Sequence, residues 1–97
     1  LFSKSYAYDR ETTITVKNRK NRRVVIDVFD RLPISSDERV KIQNTQINPT
    51  AAETRTTGIM RFHLDLGPGQ EEKITIKYRL IHPEGILPVF QEGGDQW

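Results

Sequence analysis

The residues of this 97-residue chain with the means to do chemistry are few: His63 and His82, the aspartates Asp27, Asp30, Asp37 and Asp65, and the serine pair Ser35–Ser36. A zinc site needs three or four converging ligands. Two histidines with no spaced carboxylate motif do not announce one, and both read as surface side chains: His63 on the polar side of an alternating run, His82 ahead of a proline. Two of the aspartates would serve as an acid–base pair if their separation suited it. Asp30, close to Pro33, Ser35 and Ser36, reads better as a turn cap, because Asp and Ser oxygens accept bonds from nearby backbone N–H groups. Ser35 and Ser36 lack the Gly-x-Ser-x-Gly setting of a hydrolase nucleophile. Gly67-Pro68-Gly69 lacks the Lys-Ser/Thr ending and following helix of a phosphate loop. No catalytic, metal or cofactor-binding residues are assigned, and no cofactor is expected.

Binding residues are easier to find. Lys17, Arg19, Lys20, Arg22 and Arg23 form the densest cluster of charge. One reading is a contact for an anionic polymer or membrane surface. The other is a solvated hairpin turn whose charges discourage edge-to-edge pairing of sheets. No aromatic residues that would stack on bases are interleaved with it. Phe90 and Trp97 stand in a polar tail and are candidate partner contacts. The chain's formal net charge is only +2, so neither nucleic acid nor a membrane is the expected partner. There is no cysteine, which removes disulfides and thiol chemistry from this segment and leans towards the cytoplasm.

The elements that must carry these residues have period two. Ile14 and Val16 alternate with polar residues, and so do Val24, Ile26 and Val28, then Val40 and Ile42. Met60, Phe62, Leu64 and Leu66 follow, then Ile74, Ile76, Tyr78 and Leu80. Side chains of a strand point alternately to its two faces, so each run has an apolar and a polar face. Ser3 to Arg10 alternates more weakly, as a first strand or the end of an incoming segment. Leu32-Pro33 closes a strand. Gly67-Pro68-Gly69 suits a type II turn that would join two long strands as a hairpin. Thr45 to Gly58 reads as one long polar loop. After Pro83 the alternation fails.

Several short strands separated by turns favour two packed sheets. The expected fold is all-β: an antiparallel β-sandwich of about six to seven strands, immunoglobulin- or fibronectin III-like. Residues 1–97 are expected to form one domain, a piece of a longer protein, with 84–97 an irregular tail.

Four stretches also resemble a known family. They are Ile14-Thr-Val-Lys-Asn18; Val24 to Pro33, with Ser35-Ser36-Asp37 and Val40-Lys-Ile42; Gly58 to Leu66; and Gly67 to Ile74, running on to Tyr78. The most specific is Asp30-Arg-Leu-Pro33-Ile-Ser35-Ser-Asp37. Together they are similar to the C-terminal part of the DUF4139 domain, found in proteins related to mucoidy inhibitor A. Phe62 stands where many relatives carry Trp, a conservative departure. The resemblance implies a β-rich C-terminal domain that follows an N-terminal companion domain and a helical middle. It brings no established activity, cofactor or catalytic residue.

The expected function is therefore that of a non-enzymatic structural or protein-interaction domain. Its partners would be other domains of the same protein, a separate protein, or a second copy. The alternatives are anion binding through 17–23, and a share in an enzyme site that another domain completes.

Overall fold

The computed structural model describes residues 4–85. Its strands are β1 (Ser5–Lys17), β2 (Val24–Arg31), β3 (Lys41–Asn48), β4 (Glu53–Thr54), β5 (Ile59–Leu66) and β6 (Glu71–Pro83). They form two antiparallel three-stranded sheets, one ordered β1-β6-β3 (sheet A) and the other β2-β5-β4 (sheet B). The alternating runs are strands as expected, and Ser5 to Arg10 continues into Ile14 and Val16 as one 13-residue strand.

Each sheet turns its apolar side chains towards the other. Met60, Phe62, Leu64 and Leu66 from β5 share a buried cluster with Ile74 and Ile76 from β6, and Ile14, Val16, Val28, Leu32, Ile47, Ala51 and Tyr78 pack around it. The two central strands supply the fully buried part because neighbours flank them on both sides, whereas edge strands keep one side open.

The connections differ from the sequence expectation in one respect that organises the whole fold. Gly67 to Gln70 does form the expected tight turn: Gln70 N–H donates to Gly67 O at 3.1 Å, and Gly69 has φ 74°. It does not make a hairpin, however, because β5 lies in sheet B and β6 in sheet A. The basic segment after Lys17 is likewise no hairpin turn, since β1 pairs with β6 and β2 with β5. A turn sequence specifies a local reversal, but which strands then pair is a non-local matter. Here Asn18 and the turn complete the β1–β6 ladder: Asn18 N–H donates to Gln70 O, and Gly69 N–H to Asn18 O, both at 2.9 Å. The β1–β2 and β5–β6 segments thus run side by side as one antiparallel ribbon, bent from sheet A into sheet B at a corner. Lys17 is paired with Glu71 and Val24 with Leu66, so residues 18–23 take the longer path round that corner and 67–70 the shorter one.

The stretch 45–58, expected as a single loop, holds the end of β3 and all of β4. A bulge between Gln43 and Gln46, with Asn44 at φ 54°, explains why the pattern was hidden. One extra residue switches the side-chain phase, so Ile42 (opposite Leu80) and Ile47 (opposite Ile76) share the inner face despite their odd spacing.

Gly58 closes the same region. Its φ is +89°, and a Cβ there would run into the backbone oxygen of Leu32, whose N–H donates to Gly58 O at 2.8 Å. Gly69 also has a positive φ, but open space around it. Gly69→Ala is expected to cost about 1 kcal/mol from backbone strain alone. Gly58→Ala should cost clearly more, since the Leu32 strand end must move as well. Urea unfolding of the two variants side by side checks that order.

Candidate functional site

Asn18, which stands inside the basic segment without being one of its charges, is no candidate by residue type. It is 5% exposed. Its Nδ2 amide donates towards three carbonyl oxygens, those of Arg22 (2.7 Å), Leu66 (3.0 Å) and Gly67 (3.0 Å), and its Oδ1 accepts from Lys20 N–H at 3.0 Å. One side chain therefore ties both legs of the corner together. No local pattern marks it, because its acceptors at Leu66 and Gly67 are 48 and 49 residues away.

This clamp fixes the shape of the basic segment. Lys17, Arg19, Lys20, Arg22 and Arg23 all lie at this corner and all are exposed. They are not equivalent. Arg23 Nη1 donates to Asp65 Oδ1 at 2.8 Å, and Lys17 sits opposite Glu71 in the ladder. Arg19, Lys20 and Arg22 make no ion pair among the described residues.

At the other end of sheet A the picture is apolar. β1 and β6 have 13 residues each and β2 and β5 only eight, so sheet A outreaches sheet B by roughly 15 Å at about 3.3 Å per residue. The inner face there continues through the pairs Tyr8–Leu80 and Tyr6–His82. Tyr6 and Tyr8 are 41% and 52% exposed. They stack on the His82 ring, with centroids 5.5 and 5.6 Å away. His82 is consequently 8% exposed, which corrects its reading as a surface residue: the strand phase places it on the inner face, and two tyrosine rings cover it. Its Nδ1 lies 3.0 Å from Pro83 O. Phe90 and Trp97 lie outside the described residues.

The candidate catalytic groups separate into small pairs. His63 Nδ1–H donates to Asp27 Oδ1 at 2.7 Å across β2 and β5, on the exposed outer face of sheet B. That register, between strands far apart in sequence, was not legible beforehand. Arg61 approaches Asp27 at 3.6 Å and Glu53 at 3.6 Å. A histidine oriented by a carboxylate is two-thirds of a hydrolase triad, but its neighbours on that face are Val25, Asp65, Phe29 and Arg61, none bearing a hydroxyl. Asp30 Oδ1 accepts from Arg31 N–H, and Ser35 Oγ from Asp37 N–H. The Ser35 bond is a local turn bond of the kind expected, whereas Asp30 and Arg31 both lie at the end of β2 rather than in a turn. Asp37 holds Arg39 through both carboxylate oxygens. Asp9 holds Arg79 in the same way beside a polar depression of about 330 Å³ over the outer face of sheet A. Among the described residues no group of three or more His, Asp or Glu gathers to hold a metal ion.

The pairings move acidity in one direction. A hydrogen bond from His63, then the charge of Arg61, holds the Asp27 carboxyl below its ordinary value of 3.8. Hydrogen bonds from Arg79 and Arg39 do the same for Asp9 and Asp37. A carboxyl that titrates lower when folded adds stability above its unfolded value and loses it as pH falls through the folded one. The urea midpoint is therefore expected to decline once pH drops below about 4. A midpoint that stays level down to about pH 2 would mean that these pairs do not form in solution.

The fold and its surfaces define an all-β domain of two three-stranded sheets, with a clamped basic corner at one end and an exposed pair of tyrosines at the other. The chain belongs to the family described as Domain of unknown function (DUF4139), whose sequence model matches residues 1–84. It is similar to the Caenorhabditis elegans protein named Protein F37C4.5, with 29% identity over 93 residues. The match takes in 84% of this chain but only 17% of that protein. No solved structure matches the chain significantly.

Proposed function

We propose that this is a non-enzymatic interaction domain, immunoglobulin- or fibronectin III-like in general build, that docks through the inner face of sheet A where sheet B does not reach. One observation carries the reading. Tyr6 and Tyr8 lie on the same face as the buried Ile74 and Ile76, yet stay 41% and 52% exposed, because sheet B ends short of them and no second layer covers their end among the described residues. Exposed aromatics side by side on a preformed sheet offer large apolar contact area at small entropic cost, as anchor residues of interfaces do. The edge of β1 beside them, unpaired among the described residues, adds backbone groups for strand addition. In this reading the segment is the C-terminal part of its DUF4139 domain, in a longer protein related to mucoidy inhibitor A, and the covering layer comes from the rest of that protein.

Hydrogen exchange tests this. Amides of residues 5–10 and 78–83 should exchange at least tenfold more slowly in the full gene product than in the isolated chain. Tyr6→Ser/Tyr8→Ser should abolish the difference without unfolding the chain. Equal exchange in both contexts would sink the proposal.

A further inference from the structure

We propose that the corner residues Arg19, Lys20 and Arg22, with Lys17 at their flank, form a contact site for the anionic phosphate headgroups of a lipid surface. The small net charge of +2 argues against a basic domain as a whole, but not against a local concentration of charge. Elsewhere most arginines are compensated, and the exposed cations that hold no carboxylate among the described residues, Lys4, Arg10, Lys41 and Lys73, stand apart from one another in sequence. Arg23, Arg39, Arg55, Arg61 and Arg79 each hold a carboxylate, and Lys77 lies 4.0 Å from Glu11. Arg19, Lys20 and Arg22 hold none among the described residues, and they fall within four consecutive positions.

Their backbone is also held in place. The Asn18 amide grips Arg22 O while its oxygen takes the Lys20 N–H, so the ends of the basic turn are fastened to a buried anchor. Such a turn loses little conformational freedom on binding.

The shape of the corner selects the ligand. Pro68, Gly69 and Gln70 beside it are exposed, and the space around Gly69 is open. The corner is thus convex. A single small anion would not be enclosed there, and no aromatic side chain of this segment offers a stacking surface for a nucleic-acid base. A plane of negative charge reaches a protruding tip unhindered, and flexible Lys and Arg side chains there can extend to it. The corner also lies at the opposite end of the 13-residue β1 from Tyr6 and Tyr8, roughly 30–36 Å away. Docking at one end leaves the other free.

The contact is weak by itself. Each Lys or Arg near an anionic surface strengthens binding about five-fold, so four give half-binding on the order of millimolar accessible lipid. It would act together with a second attachment.

Cosedimentation of the chain with vesicles tests the assignment. Vesicles of phosphatidylcholine with phosphatidylserine should bind it at low salt and release it at about 0.5 M salt, where screening is short-ranged. Pure phosphatidylcholine should not bind. Arg19→Gln/Lys20→Gln/Arg22→Gln should lose about 100-fold, and Lys41→Gln/Lys73→Gln, removing charge elsewhere, should keep at least half the bound fraction. Binding to both vesicle types alike, an unaffected triple variant, or an equal loss in the Lys41/Lys73 control would overturn the proposal. So would retention on heparin without any vesicle binding, which would assign the corner to a soluble polyanion.

Discussion

Phe62→Ala is expected to lower the unfolding free energy by about 3–5 kcal/mol. Phe62 is the largest fully buried side chain, 1% exposed, on the central strand of sheet B. Its strand neighbours Met60 and Leu64 and the facing Ile74 and Ile76 belong to one buried cluster. Truncation removes the apolar contact area and leaves a void that rigid strands on both sides cannot close. A domain of this size has about 5–15 kcal/mol in all, so the variant stands near the limit of folding. The contrast is Val25→Ala, on the outer face of β2 at 58% exposure, expected within about 0.5 kcal/mol of the parent. Urea titration of the two variants reads both values. A Phe62→Ala cost under about 1 kcal/mol would mean that the sheets do not pack through this face.

Asn18→Ala should cost about 2–4 kcal/mol although it removes hardly any apolar contact. The loss is polar: the carbonyl oxygen of Leu66 is buried with the Asn18 amide, and those of Arg22 and Gly67 are partly so. Leaving a buried acceptor unpaired costs about 1–3 kcal/mol, less where water can enter. Asn18→Asp separates this account from a mere packing effect. It keeps the shape but turns a carboxylate oxygen towards three carbonyl oxygens, so it should be more damaging than Ala at pH 7, with the gap narrowing in acid as the carboxyl is protonated. If Asp were tolerated better than Ala at neutral pH, the amide would not be the clamp. Hydrogen exchange adds a local readout: the Gly69 and Gln70 amides at the corner should lose protection in both variants before the centre of β6 does.

Period two in residues 60–66 and 74–80 was enough to put Phe62, Leu64, Ile74 and Ile76 in the core, because strand geometry ties spacing to face without reference to any other part of the chain. The Gly-Pro-Gly turn was legible for the same reason: φ preferences are local. The Ser35 turn bond was legible too, since donor and acceptor lie within two residues. The end of β3 was hidden because a bulge reverses the phase, and a phase reversal looks like the absence of a strand, whereas β4, with two residues, is too short to show a period at all.

Alternation and composition by themselves determined an all-β chain, its apolar faces, its turns and the place of its basic cluster. Tertiary structure alone decided which strands pair, and so converted two supposed hairpins into a bent ribbon, buried Asn18 and His82, and joined Asp27 to His63. It also decided which of the clustered candidates matter: Arg23 is taken by Asp65, while Arg19, Lys20 and Arg22 are held outward without a carboxylate among the described residues. The physical reason is the range of the forces involved. Side-chain direction and turn preference act within a few residues, whereas pairing, burial and charge compensation depend on neighbours that only the folded chain brings within a few ångströms.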